Sequence, residues 1–240
     1  MGKIAIVTDS NSGITQDQAR ELGISVIPMP FYINEKLYLE GITLSQEEFY
    51  ERLKNDEAIS TSQPGPADVC GLWNTLLEKY DEVVHIPMSS GLSASCSTAM
   101  GLAIDYNGRV QVVDNQRISV TQRQSVMDAK MLAEAGKSAA EITAALEELK
   151  PKVRASFVVD TLMYLYRGGR CNAVAAMAGS VLKLHPKIIV ENGAMDAAKK
   201  YRGKLHSVVM SYVRDMEANL KNARPERVFI THSGCDRKIV

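Results

Sequence analysis

Charge of one sign is missing from this sequence: 28 Lys and Arg stand against 28 Asp and Glu, a formal net charge of zero. No overall field therefore draws the chain to a polyanion such as DNA, and nucleic acid is not an expected partner. Long apolar runs are missing too. The longest mostly apolar stretch, Ala173 to Leu182, falls far short of the roughly 20 residues that cross a bilayer, so no stable membrane insertion is expected. The N-terminus, MGKIAIVTDS, meets Asp9 before the apolar core of a signal peptide can develop, and the chain reads as cytoplasmic. Cysteine is sparse and scattered. Cys70, Cys96, Cys171 and Cys235 form no C-x-x-C pair, whereas structural zinc needs clustered ligands and a disulfide scaffold belongs to smaller secreted chains. His85, His185, His206 and His232 are as dispersed, which disfavours a metal site, and no cofactor is expected. A Walker A motif and a G-x-G-x-x-G after a strand are both absent, so nucleotide binding lacks its usual signal. No repeat or low-complexity tract is visible.

The composition that remains, 45% apolar and 23% charged, is that of an ordinary folded chain with enough apolar surface to offset chain entropy. At about 150 residues per domain, the length suits one large domain or two modest ones. Over the first 150 residues or so, short β-branched runs alternate with longer helical patterns. Lys3–Thr8, Ile24–Pro28, Glu82–Pro87 and Arg109–Asp114 read as buried strands. Thr15-x-x-Gln18, Ser45-x-x-Glu48 and Ser138-x-x-Glu141 match the capping box, in which hydroxyl and N3 side chain satisfy orphan amides reciprocally. Such alternation predicts a mainly parallel sheet with helices on its faces, whose ligands collect beyond the carboxyl ends of the strands. From about Arg154 the pattern changes. Ala155–Asp160, Pro186–Glu191, Met195–Tyr201 and Arg227–Thr231 are strand candidates, and Asn192-Gly193 signals a hairpin and hence antiparallel pairing. Leu205, Val208, Val209, Tyr212, Val213, Met216 and Leu220 keep the helical period and form one amphipathic stripe that core packing explains. The expected fold class is α/β with two domains. Residues 1–153 form a parallel-sheet domain with flanking helices, and 154–240 form a second α/β domain with antiparallel strands. No Gly/Ser/Pro-rich linker marks the boundary.

Several polar clusters fall where such folds hold ligands. Thr8-Asp9-Ser10-Asn11-Ser12-Gly13 closes the first strand and suits a site or a simple turn equally. Thr61-Ser62-Gln63-Pro64-Gly65-Pro66 is a stiff loop whose hydroxyls are able to donate to an oxyanion. The most informative stretch runs from His85 to Ser95. A buried strand enters a Ser/Gly-rich turn and then a small-residue helix, whose first amides and hydroxyls favour a carboxylate or phosphate. Gly91-Leu92-Ser93-Ala94-Ser95 nearly matches the G-x-S-x-G nucleophile elbow but lacks its final Gly. Arg167-Gly168-Gly169-Arg170 offers two guanidiniums beside a close-approach backbone, or else an ordinary helix C-cap. Lys199–Lys204 reads as a further cationic loop, more plainly a solvated face.

Taken in order, Thr8-Asp9-Ser10, Glu48-Phe49-Tyr50, Thr61-Ser62-Gln63-Pro64, Ser89-Ser90-Gly91-Leu92-Ser93, Val158-Val159-Asp160-Thr161-Leu162 and Arg167-Gly168-Gly169-Arg170 resemble the DegV family over essentially the whole chain. The resemblance implies a fatty-acid-binding protein of two α/β domains with a lipid buried between them. It also implies a possible partner, an ATP-binding fatty acid kinase subunit to which the long-chain fatty acid is presented for acyl-phosphate formation. The chain itself would then be a carrier and not an enzyme. By the same resemblance Thr61 and Ser93 hold the carboxyl group, Ser62 and Arg170 form its supporting polar shell, and Arg202 occupies a later cationic position. Ala94-Ser95 stands where many members have Gly-Thr. The family's C-terminal His/Gly-rich segment is not within these 240 residues, so the second domain is expected to be C-terminally truncated.

Two other function classes fit the residues. One is a serine hydrolase acting on acyl esters through Ser93 with His85 or His232 as base, which requires a hydrogen-bonded Ser–His pair with an acid behind it. The other is a phosphate-binding regulatory module built on Arg167 and Arg170.

Overall fold

The computed structural model describes residues 2–170, 184–217, 220–233 and 235, and the chain divides into two compact units, Met1–Val153 and Arg154–Val240. In chain order the first unit runs β1 (Ile4–Asp9), α1 (Gln16–Leu22), β2 (Ser25–Ile27), β3 (Pro30–Ile33), β4 (Lys36–Leu39), α2 (Gln46–Lys54), β5 (Ile59–Thr61), α3 (Pro66–Leu77), β6 (Glu82–Ile86), α4 (Ser95–Ala103), β7 (Val110–Val112), α5 (Val120–Glu134) and α6 (Ala139–Leu149). The second contains β8 (Ala155–Val158), α7 (Met163–Gly168), β9 (Leu184–Glu191), β10 (Ala194–Arg202) and α8 (Leu205–Glu217).

The β-branched runs of the first unit pair in parallel as a four-stranded sheet of order β2-β1-β6-β7. Because side chains alternate along a strand, each run supplies both faces. Ile6, Val84 and Ile86 face Ile14, Val126, Ile142 and Leu146 on the side of α5 and α6. Ala5, Val7 and Val83 face Val69, Trp73 and Ala99 on the side of α3 and α4. A sheet covered on both faces accounts for strands that read as continuous apolar segments rather than alternating ones. All three capping boxes form: Thr15, Ser45 and Ser138 each accept from the N3 amide, and Gln18, Glu48 and Glu141 reach back.

From β1 the chain passes through α1 to β2 on one side, while β6 lies on the other side of β1 and leads through α4 to β7. The helices that follow β1 and β6 pack in different core clusters, α1 with the first and α4 with the second. The point between β1 and β6 is therefore where the winding reverses, the place in such sheets where a crevice opens beyond the strand ends.

Residues 30–61 add a feature absent from the sequence reading, a small antiparallel sheet of order β4-β3-β5. Phe31, Ile33, Tyr38 and Leu44 form its own core, with Phe49 of α2 set edge-on to Phe31 at 5.6 Å. Its strands are three or four residues long, too short for a legible period. Asn34 and Glu35 make the β3–β4 turn with φ of 48° and 66°.

In the second unit β10, β9 and β8 form an antiparallel sheet. Asn192 and Gly193 close the β9–β10 hairpin with φ of 49° and 79°, the paired left-handed geometry that favours Asn-Gly. Along α8, Val208 is buried and Tyr212 donates from its hydroxyl to Ser156 O at 2.8 Å. Two expectations need correction. Lys199–Arg202 is the end of β10, not a loop, with Lys199 paired to Asp215 at 2.6 Å. Arg227–Thr231 is not a strand: Pro225–Arg227 is a short 3-10 turn. Val228–Ile230 beyond it is exposed, and no strand neighbour gives it a ladder among the described residues. The stretch Ala173–Leu182 lies outside the described residues, among which no helix is long and apolar enough to cross a membrane.

Candidate functional site

Two turns of the first unit meet beyond the carboxyl ends of β1 and β6, and buried polar groups fix both. Asp9, the last residue of β1, is almost wholly enclosed. Its Oδ2 accepts from Met88 N at 2.7 Å. Its Oδ1 accepts from Asn11 N and Nδ2, each at 3.0 Å, and from Gln122 Nε2 at 3.1 Å. Burial pushes the Asp9 carboxyl above the usual range, and the hydrogen bonds from Met88, Gln122 and Asn11 pull against it. The same Gln122 amide reaches Thr8 Oγ1 at 3.1 Å and Ile86 O at 3.2 Å, so α5 ties the ends of both strands together.

Beyond Ile86 each polar side chain of the turn has a definite task. Ser89 N donates to Arg117 O at 2.9 Å and Asn115 Nδ2 to Pro87 O at 3.1 Å. Ser90 is held by Asp114, with Ser90 Oγ donating to Oδ2 at 2.6 Å and Ser90 N to Oδ1 at 3.2 Å. Leu92 N and Ser93 N both return to Ser89 O, at 3.0 and 3.1 Å. The Ser93 hydroxyl accepts from Ser95 N at 3.2 Å, which places it at the opening of α4. Cys96, in the first turn of that helix, is fully buried, and burial pushes its thiol up to about 12, so it stays protonated.

The second turn, Thr61-Ser62-Gln63-Pro64, leaves β5 and leads into α3 behind Pro66 at a first helical position. Ser62 N donates to Pro30 O at 3.0 Å, anchoring the turn on β3. Thr98 Oγ1 of α4 donates to Gln63 Oε1 at 3.2 Å and joins the two turns. Beneath that bond lies a cavity of about 10 Å³ lined by Asp9, Pro64, His85, Pro87, Ser95 and Thr98, among others. A space of that size holds about one water and takes no acyl chain.

Among the sequence-predicted residues, then, Thr61, Ser62 and Ser93 belong to turns that share a hydrogen bond and a cavity wall. Thr61 and Ser62 are exposed, and Ser93 is half-buried. Arg170 and Arg202 belong to the second unit. Arg170 is exposed and its Nη1 donates to Gly168 O, while Arg202 is the exposed last residue of β10, in register with Leu184. The pair Gly168-Gly169 serves as a helix C-cap: Gly169, at φ 66°, donates to Leu165 O and Tyr166 O. Reasoning on the sequence did not find Asp114, which holds Ser90, Asn115, which holds Pro87 O, or Gln122, which ties Thr8, Asp9 and Ile86 together. They lie 24 to 114 residues from these partners along the chain, and nothing local marks them.

The geometry of a serine hydrolase does not form around His85. Neither of its ring nitrogens has a hydrogen-bond partner among the described residues, and burial lowers its pKa to about 3, too weak for a general base at neutral pH. His232 is exposed in the second unit. No group of three or more His, Cys, Asp or Glu among the described residues is placed to hold a metal ion. What the two turns bring to the opening of α4 is a set of serine and threonine hydroxyls, with Ser93 Oγ held by Ser95 N and Thr98 Oγ1 held by Gln63.

Comparison with known proteins places the chain in a family. A family model described as "Uncharacterised protein, DegV family" matches residues 3–240. Protein DegV of Bacillus subtilis is 32% identical over 233 residues, covering 96% of this chain and 83% of its own length. A DegV domain-containing protein of Deinococcus radiodurans is 35% identical over 202 residues, 84% of this chain and 72% of that protein. Among solved structures, a DegV family protein from Thermus thermophilus described as binding fatty acid superposes with a TM-score of 0.82 at 31% identity, over 92% of this chain and 79% of that one. The crystal structure of the Bacillus subtilis protein, described as a fatty acid binding protein, gives a TM-score of 0.78 at 32% identity, over 91% and 79%. With the family model spanning nearly every residue and the parallel sheet and its turns in place, this chain belongs to the DegV family.

Proposed function

We propose that this protein binds a long-chain fatty acid, holding the carboxylate on the hydroxyls of Thr61 and Ser93, and presents it to a separate ATP-binding kinase subunit. The observation that carries the reading is the hydrogen bond from Thr98 to Gln63, which joins the Thr61 turn to α4, the helix that begins two residues after Ser93. The relatives from Thermus thermophilus and Bacillus subtilis that are described as fatty acid binding support the same ligand. Ser62 supports the carboxylate through the Thr61 turn, and the family resemblance assigns Arg170 and Arg202 to the same ligand.

The chemistry favours hydroxyls for this task. A carboxylate withdrawn from water costs several kcal/mol unless fixed donors replace its hydration. Two hydroxyls and helix-start amides do so while leaving one oxygen uncovered. In the kinase step that oxygen attacks the γ-phosphorus of ATP, a new O–P bond forms, the bond to the ADP oxygen breaks, and acyl phosphate and ADP result. A guanidinium in bidentate contact would hold the anion more firmly and cover the attacking oxygen.

The test has two parts. Native mass spectrometry of freshly purified protein should show a bound long-chain acyl mass. Thr61→Val and Ser93→Ala, with folding checked by circular dichroism, should each weaken oleate and palmitate binding by about 1–3 kcal/mol, the cost of an unpaired buried oxygen. Unchanged affinity in both folded variants would place the carboxylate elsewhere.

A further inference from the structure

The cavity beneath the Gln63–Thr98 bond carries an unassigned cluster of polar atoms. His85, the fourth residue of β6, is 3% exposed and lines it. Its Nδ1 and Nε2 have no hydrogen-bond partner among the described residues, and neither has the buried Oγ of Ser95, which also lines the cavity. Trp73 packs against the imidazole, ring centroids 5.6 Å apart at 75°, so the side of the ring toward α3 is closed by an aromatic. The Asp9 carboxylate completes the polar wall. A buried donor or acceptor left unmet costs about 1–3 kcal/mol, and several of them around one small space are the usual signature of a water-binding site.

We propose that this cavity binds one internal water, hydrogen-bonded to His85 and to Ser95 Oγ, and that His85 acts through it as a positioning residue for the Ser93 turn. The volume matches one water, and the chemistry is complementary. A neutral imidazole offers one N–H and one lone pair, a serine hydroxyl donates and accepts, and a carboxylate accepts. Ser95 is the link to the ligand side, because its own backbone N–H donates to Ser93 Oγ. Fixing the Ser95 side chain from below fixes the amide that orients Ser93. This role rests on the fatty-acid reading of the site; the water site itself does not.

The test separates the two. A crystal structure of the chain at a resolution that orders solvent should show one water within hydrogen-bond distance of a His85 ring nitrogen and of Ser95 Oγ. Density without it, or either side chain turned onto a protein partner, overturns the site. For the positioning role, affinity for a fluorescent long-chain fatty acid is measured in His85→Leu, His85→Gln and Ser95→Ala. His85→Leu and Ser95→Ala should bind about tenfold more weakly, the weight of one hydrogen bond, and His85→Gln within about threefold of wild type, since its amide also donates and accepts. Should His85→Leu fail to fold, Ser95→Ala carries the comparison. Wild-type affinity in folded Ser95→Ala, while Ser93→Ala loses affinity, overturns the positioning role. Wild-type affinity in Ser93→Ala overturns the fatty-acid reading and the positioning role with it, and the density alone then decides the water site.

Discussion

Acidification should destabilise the first unit through His85, and the size of the effect follows from its burial. In the unfolded chain this histidine has its ordinary pKa of 6.5, and in the fold burial lowers it to about 3. The unfolded state therefore binds the proton first as pH falls. The stability due to keeping the ring neutral is full above pH 6.5 and is lost progressively as pH drops toward 3. Between pH 8 and pH 5 the loss from this one group is about 2 kcal/mol, a sizeable part of the 5–15 kcal/mol of a typical domain. Asp9 works in the opposite sense, since its raised pKa lets the folded form take up a proton more readily than the unfolded chain. Comparison with His85→Gln cancels Asp9 and every other shared group to first order, and leaves the histidine. The assay is urea unfolding followed by tryptophan fluorescence. Trp73, the only tryptophan, is fully buried against His85 and reports this unit alone. Wild type should lose about 2 kcal/mol more than the variant on going from pH 8 to pH 5. Equal losses would refute the reasoning and mean that the imidazole titrates in the folded protein as it does in the unfolded chain.

Other outcomes follow from single contacts. Asp114→Ala removes the acceptor of both the Ser90 amide and hydroxyl; it should lower fatty-acid affinity several-fold and cost about 1–2 kcal/mol in chemical denaturation. Ser138→Ala breaks the capping box of α6 and should cost about 1 kcal/mol, read as a drop in urea midpoint at unchanged slope. Gly169→Ala places a side chain at φ 66° with no neighbour within 4 Å, so its cost of about 1 kcal/mol is backbone strain alone and should leave spectra of the folded state unaltered.

The parallel sheet was legible because buried strands such as Lys3–Thr8 and Glu82–Pro87 are rich in β-branched residues, and because the three capping boxes announce their helices. The Asn192-Gly193 hairpin was legible for the same local reason. The small β4-β3-β5 sheet was not, since strands of three or four residues give no period and its core depends on Phe49 of α2 packing beside Phe31. Arg227–Thr231 has the composition of a strand but pairs with no strand among the described residues, and a strand is defined by its neighbour. At the site, the hydroxyl turns stood out by composition. The groups that hold them did not, because Asp114 and Gln122 act across the fold and resemble ordinary surface residues in sequence.

The Gln122 amide that spans Thr8, Asp9 and Ile86 also bears on how the chain matures during synthesis. A nascent chain that has emerged as far as α4 already carries every serine and threonine of the two turns. It lacks Asp114, which holds Ser90, Asn115, which holds Pro87 O, and Gln122 of α5, which ties the ends of β1 and β6. Contacts this distant form late, after the cost of closing long loops has been met. The Ser89–Ser93 turn therefore gains these supports only after most of the first unit has left the ribosome.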